Sequence, residues 1–260
     1  MCGSGPLIPQ VVSSELRIQP YPGMRKVAPA PPPSAKAPVQ EQLHWLRHQQ
    51  LAFADSYSDV RFDVRDLEDE IGLAVNLTRF EPLLNHQAFV HRASYLLVGD
   101  MVISAAAYVP LVASTCEYGQ STLEIPYYGS TRFRIEGQDW FDHAGQQALY
   151  LPGQAYEVKT GHFNGLLFNI SPDRLAETIG RVSRCRVPLE LAERWVQRPV
   201  PIDLQDQRIQ HLQRNLELAL DGLVEINRGG LGNPFSSTAL GVEELVYRSS
   251  ARMMLIAHGV

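Results

Sequence analysis

The side chains best suited to chemistry in this chain do not fall into a known reactive pattern. A strand-borne metal site needs histidines one residue apart, with further ligands converging on them. The eight histidines include no His-x-His pair, and His86, His91, His143 and His162 are not suitably spaced. His44 and His48 lie four apart and would share a helix face, which is a zinc spacing. Trp45, however, stands where a helical metalloprotease motif requires Glu, so both read as surface histidines. A Gly-x-Ser-x-Gly nucleophile elbow is missing. Gly230-x-Gly232 neither follows a strand nor opens a βα unit, and so reads as a loop. Glu68, Asp69 and Glu70 read as a solvated run in a turn. Cys2, Cys116 and Cys185 are too few and too odd in number for a disulfide framework. Cys116 and Cys185 are expected to be buried small hydrophobes. No metal, no cofactor and no catalytic set is expected from these residues.

A second group of residues suits binding better than catalysis. Tyr127, Tyr128, Arg132, Arg134, Tyr150 and Tyr156 fall on short β runs and could line a barrel interior. Small barrels commonly hold one ligand. Tyr127, Arg132, Tyr150 and Tyr156 are the candidate ligand-pocket residues. Arg132 and Arg134 are two apart and share one strand face. That face could meet an anionic ligand or water, and water is favoured because arginine is seldom buried without a partner.

The elements that must position these residues follow from composition and period. The 260 residues are 45% hydrophobic and 20% charged, with mean hydropathy −0.15. This is ordinary globular composition with room for one or two domains, and no apolar run is long enough to span a membrane. The net charge of −5 divides unevenly. Residues 1–40 carry +3 and the rest −8, a poor match for a phosphate backbone or an anionic membrane. Nine of the eighteen prolines lie in residues 1–40, which read as an extended, unpacked tail.

Residues 41–54 suggest a short helix. From about residue 70 to 171, some eight short runs separated by turns argue an antiparallel barrel or sandwich. They include Ile71–Phe80, Ala88–Val98, Met101–Val109, Thr122–Ile125, Thr131–Ile135 and Gly165–Ile170. The period then changes. Asp173–Val182 reads as a helix capped by Ser171 with Pro172 at its first position, and 184–202 as irregular. A helix from Asp203 carries Leu212, Leu216, Leu220 and Leu223 as an apolar stripe. A second runs from about Ser236 to Ala257, after a Gly229–Pro234 loop. The stripe serves either packing on the barrel or packing on a second copy. The four leucines are the candidate dimer seam of a homodimer.

Three stretches, in this order, carry a family resemblance. They are Thr122-Leu123-Glu124-Ile125-Pro126-Tyr127-Tyr128-Gly129, Ala148-Leu149-Tyr150-Leu151-Pro152-Gly153, and Leu166-Leu167-Phe168-Asn169-Ile170-Ser171-Pro172-Asp173-Arg174-Leu175. With the two helices after them, they resemble the N-terminal regulatory domain of AraC/XylS-type transcriptional regulators, over roughly residues 65–257. The resemblance implies an α+β fold, an antiparallel cupin-like β-barrel of jelly-roll type followed by an α-helical hairpin. It divides the chain into a tail at 1–40, a sensory barrel with flanking helices at 41–182, and a linker with dimerisation hairpin at 183–260. It also implies a cytoplasmic bacterial regulator that forms a homodimer and senses a small-molecule effector in the barrel. Such proteins bind DNA through two C-terminal helix-turn-helix units. This sequence stops at Ala257-His258-Gly259-Val260, where those units should begin, so DNA contact is expected only through units outside these residues. The alternatives are a metal-free cupin-like enzyme acting on a small metabolite, and an interaction module working through the Pro-rich tail.

Overall fold

A computed structural model describes residues 31–34, 37–55, 58, 60–72, 75–83, 89–228 and 241–260. Most of the Pro-rich tail, the Gly229–Pro234 loop and the expected helix start at Ser236 lie outside these residues. Two helices come first, α1 (Val39–Arg47) and α2 (Val64–Gly72). Ten strands follow: β1 (Leu77–Pro82), β2 (His91–Val98), β3 (Met101–Tyr108), β4 (Leu111–Thr115), β5 (Ser121–Tyr128), β6 (Ser130–Ile135), β7 (Gln138–His143), β8 (Gln147–Leu151), β9 (Glu157–Thr160) and β10 (Phe163–Ile170). Helices α3 (Pro172–Val182) and α4 (Leu189–Val196), strand β11 (Val200–Asp203), and helices α5 (Gln207–Arg228) and α6 (Val242–Ala257) complete the chain.

All strand pairs are antiparallel. The hydrogen-bonded path runs β1-β4-β9-β6-β7-β8-β5-β10-β3-β2, with β11 added on β8. The path is narrow at β7–β8, where His143 pairs with Gln147. It divides there into two sheets, with cores β4-β9-β6-β7 and β3-β10-β5-β8. That strand order is a double-sheet jelly roll. The fold is therefore α+β, a cupin-like antiparallel barrel followed by helices.

The two sheets differ in what covers them. On β6, burial alternates from exposed Ser130 to buried Ile135, as for a sheet with one face in water. On β5, six successive residues are buried, and on β10 all but one of eight. The β3-β10-β5-β8 sheet is thus covered on both faces, by the opposite sheet on one side and by helices on the other. Its outer face joins a single buried cluster that includes Trp45 of α1, Ile103, Ile125 and Phe168 of the sheet, and Ile179, Leu216 and Met254 of the helices. The cluster runs without interruption across the expected boundary at residue 182.

Several expectations are corrected here. The run Ile71–Phe80 is not one strand: Ile71 ends α2, and β1 begins at Leu77. The acidic run at 68–70 belongs to that helix, because Leu67 is fully buried and gives the segment an apolar side. The irregular stretch 184–202 holds α4 and β11. Cys116 and Cys185 are exposed, not buried. Leu216, Leu220 and Leu223 are 0%, 0% and 2% exposed, and Leu212 packs half-buried against the same cluster. Leu216, Leu220 and Leu223 are thus spent on the chain's own core, with Leu212 at its edge.

Local chemistry explains the joints. Ser171 Oγ accepts the Arg174 N–H and Pro172 opens α3, as the sequence indicates. The Arg174 guanidinium pairs with Glu243 of α6, lies 3.1 Å from Asp100 of the β2–β3 turn, and sits 4.2 Å above the Tyr247 ring. Arg92 of β2 donates to the backbone carbonyls of Gln49, Asp55 and Ser58, which ties the segment after α1 to the sheet.

Candidate functional site

A cavity of about 80 Å³ lies between the two sheets. Alternation along each strand selects its walls. Ser104, Ala106 and Tyr108 of β3, Thr122 and Glu124 of β5, and Leu167 and Asn169 of β10 point in from one side. Thr131 and Phe133 of β6, Val158 of β9 and the adjacent Tyr156 point in from the other. Ile71, Val75 and Leu77, from the end of α2 and the start of β1, line it as well.

The polar feature of this interior is a pair of carboxyl groups. Glu124 is 4% exposed and Asp142 is 0% exposed. They come from opposite sheets, β5 and β7, and lie close enough to interact electrostatically. Thr131 braces both: its Oγ1 donates to Glu124 Oε1 at 3.2 Å, and its backbone N–H donates to Asp142 Oδ1 at 2.6 Å. Among the described residues, no N–H or hydroxyl donates to Asp142 Oδ2. Burial, then the neighbouring Asp142, push the Glu124 carboxyl well above its ordinary range. Burial also raises Asp142, but its bonds from Glu124 and Thr131 oppose the rise. Burial thus opposes ionising both carboxyls at once, and the two titrate as a coupled pair.

Of the four residues expected to line a ligand site, only Tyr156 does so. Its ring meets Phe133 edge-on, with centroids 5.6 Å apart. Tyr127 lies on the other face of β5, beside Glu217 and Gln213 of α5. Tyr150 also faces the helices: its buried hydroxyl donates to the Val196 carbonyl at 2.9 Å and pairs with Ser121 Oγ at 2.7 Å. Arg132 points to solvent and pairs with Asp139 across the β6–β7 turn at 2.7 Å, and Arg134 is exposed. Tyrosine at one end of a strand says little about which face it takes until the register is fixed.

Glu124, Asp142 and Tyr108 were not anticipated. A signal existed for Glu124, a lone acid two residues after Thr122 in an apolar run. None existed for its meeting with Asp142, eighteen residues on and in the opposite sheet. His44 and His48 stay at the surface, where His48 Nδ1 lies 2.7 Å from the His44 carbonyl. Among the described residues, no three His, Cys, Asp or Glu side chains cluster so as to hold a metal ion.

Strand order and interior together define a cupin-like jelly roll with C-terminal helices. No protein-family model matches the chain, and no curated protein matches it. Solved structures do. The AraC-like transcriptional activator CuxR is 13% identical, with 78% of this chain and 70% of that one covered and a TM-score of 0.49. A cupin domain of an XRE-family transcriptional regulator from Enterobacter cloacae is 11% identical, with 32% and 97% covered and a TM-score of 0.27. KdgF from Halomonas sp. is 12% identical, with 30% and 77% covered and a TM-score of 0.27.

Proposed function

We propose that this chain is the small-molecule-sensing part of an AraC-type transcription regulator, and that it acts by binding without chemical conversion. The observation that carries this reading is the shared wall. The β3-β10-β5-β8 sheet lines the cavity with one face and holds the helices with the other. Glu124 reaches into the cavity, and three residues on Tyr127 lies against α5. Asn169 lines the cavity, and two residues on the Ser171 N–H donates to the Tyr247 hydroxyl of α6 at 3.0 Å. A ligand that favours one setting of this wall biases the packing of α5 and α6. DNA-binding units attached elsewhere would read that packing, and pairing of two copies would use surfaces other than the buried leucine stripe. The sequence resemblance supports the regulatory class and a cytoplasmic setting.

The carboxyl pair favours a second reading, a metal-free cupin-like enzyme that moves a proton on a small metabolite. One experiment separates the two. Metabolites that raise the melting temperature of the full chain are incubated with it and followed by NMR, while amide exchange is recorded along α5 and α6. A sensor leaves the ligand unchanged and slows exchange in these helices. Turnover of the ligand, or protection confined to the barrel, overturns the sensing assignment.

A further inference from the structure

The walls of the cavity indicate the kind of molecule it takes. Tyr95, Tyr108, Phe133 and Tyr156 supply aromatic surface, and among the described residues no Lys, Arg or His lines the cavity. The carboxyl among the described lining residues is that of Glu124, with Asp142 beside it. Two buried carboxyl groups this close oppose each other's ionisation, and a cation beside them favours the ionised form. A buried charge is costly unless something of opposite sign offsets it. The arginines on the strand beside the pair, Arg132 and Arg134, point outward and do not.

We infer that the cavity takes a small organic cation, a short alkylammonium whose N–H groups donate to Glu124 and whose carbon chain lies against the aromatic walls. This rests on the reading of the barrel as the sensing chamber and adds the class of molecule sensed. The ammonium supplies counter-charge to an ionised carboxyl, and ring faces attract cations. An anion meets like charge and finds no cationic partner. A neutral alcohol fills the same space without the charge term. Size is bounded too. A water needs about 10–15 Å³ of such space, so about 80 Å³ admits a ligand of roughly six non-hydrogen atoms. Glu124 is the binding residue, and Asp142 is a positioning residue beside it, with Thr131 bonded to both.

The test uses the full chain and a graded set of probes. Binding of methyl- to octylammonium, butanol and butyrate is measured by calorimetry and thermal shift. Wild type, Glu124→Gln, Asp142→Asn and the cavity-filling Ser104→Leu are compared, with circular dichroism as the check on folding. Affinity should rise with chain length to butyl- or pentylammonium and then fall. Butylammonium should bind at least ten-fold tighter than butanol, and butyrate should not bind. Glu124→Gln should weaken butylammonium at least ten-fold, Asp142→Asn should weaken it less, and Ser104→Leu should abolish it. Should Ser104→Leu abolish binding while butanol or butyrate matches butylammonium, the cation assignment fails and the sensing chamber stands. Binding that Ser104→Leu leaves intact lies outside the cavity and overturns both. Failure of every ammonium to bind overturns the cation assignment.

Discussion

Glu124 is where the residue-scale physics is most exposed to measurement. Its acid is held protonated by burial and by Asp142, so its folded-state pKa lies above the unfolded one. Such a group costs stability as pH rises beyond the unfolded value. Glutamine at this position keeps both contacts, because its amide N–H can donate to Asp142 Oδ2 while its Oε1 still accepts from Thr131. Glu124→Gln should therefore stabilise the fold by on the order of 1–2 kcal/mol at pH 8 and much less at pH 4.5, as read by denaturant melts. His91 and His162 act in the opposite direction. Burial leads the causes that lower both to about 4, and His162 Nε2 sits 2.6 Å from Gln42 Oε1. The unfolded chain takes up their protons near pH 6.5 and the folded chain does not. Their contribution is full above that pH and is lost as pH falls toward 4. The melting temperature should drop across that window, and a His91→Gln, His162→Gln double variant should show a flatter profile. Tyr156 was legible as an interior residue because an aromatic on a short β run beside a turn is a good guess at a barrel interior, and it lines the cavity. Glu124 was on the page in the sequence but read as part of a motif, since only the pairing of sheets shows what lies opposite it.

At the scale of elements, local signals were reliable where an element carries its own punctuation. Ser171 and Pro172 mark the start of α3, and the 3.6-residue period marks α5, because caps and amphipathic stripes act within a few residues. The β4–β9 and β5–β10 pairings bring together residues some forty apart in sequence. They depend on which strands find each other, which no short window records. Helix α2 and strand β11 were missed for a related reason, as both are short and owe their order to what they pack on. The stripe on α5 shows the limit most clearly. Periodicity establishes that Leu216 faces something apolar and is silent on whether that surface belongs to the same chain. Its full burial within one chain gives a definite expectation. Leu216→Ala should cost about 2–5 kcal/mol of unfolding free energy, seen in denaturant melts at protein concentrations low enough to keep the chain monomeric. A residue serving only a dimer seam would leave the monomer's stability unchanged.

For the whole molecule, the succession of strands and then helices was within reach of the sequence in outline, and the arrangement of layers was not. Acidic character, a β-rich middle and a helical end describe a barrel with an appendage. The molecule has three layers instead, with its larger buried cluster reaching from the barrel interior through the inner sheet to the helices. The place where the chain passes from strands to helices is therefore no seam along which it can be cut. A fragment of residues 41–182 would expose the outward faces of β3, β10 and β5, with Ile103, Ile125 and Phe168 left bare, and bare sheet faces of that kind drive aggregation. Expressed alone, it should appear in the insoluble fraction, whereas residues 31–260 should be soluble and melt in a single calorimetric transition. An insertion or deletion of one residue inside β5 or β10 would exchange what faces the cavity with what faces the helices. The two surfaces are consequently bound to change together in evolution: a lineage that acquires a new ligand by shifting a strand must rebuild its helical packing in the same step, whereas one that changes single side chains on the inner face is free to retune the ligand alone.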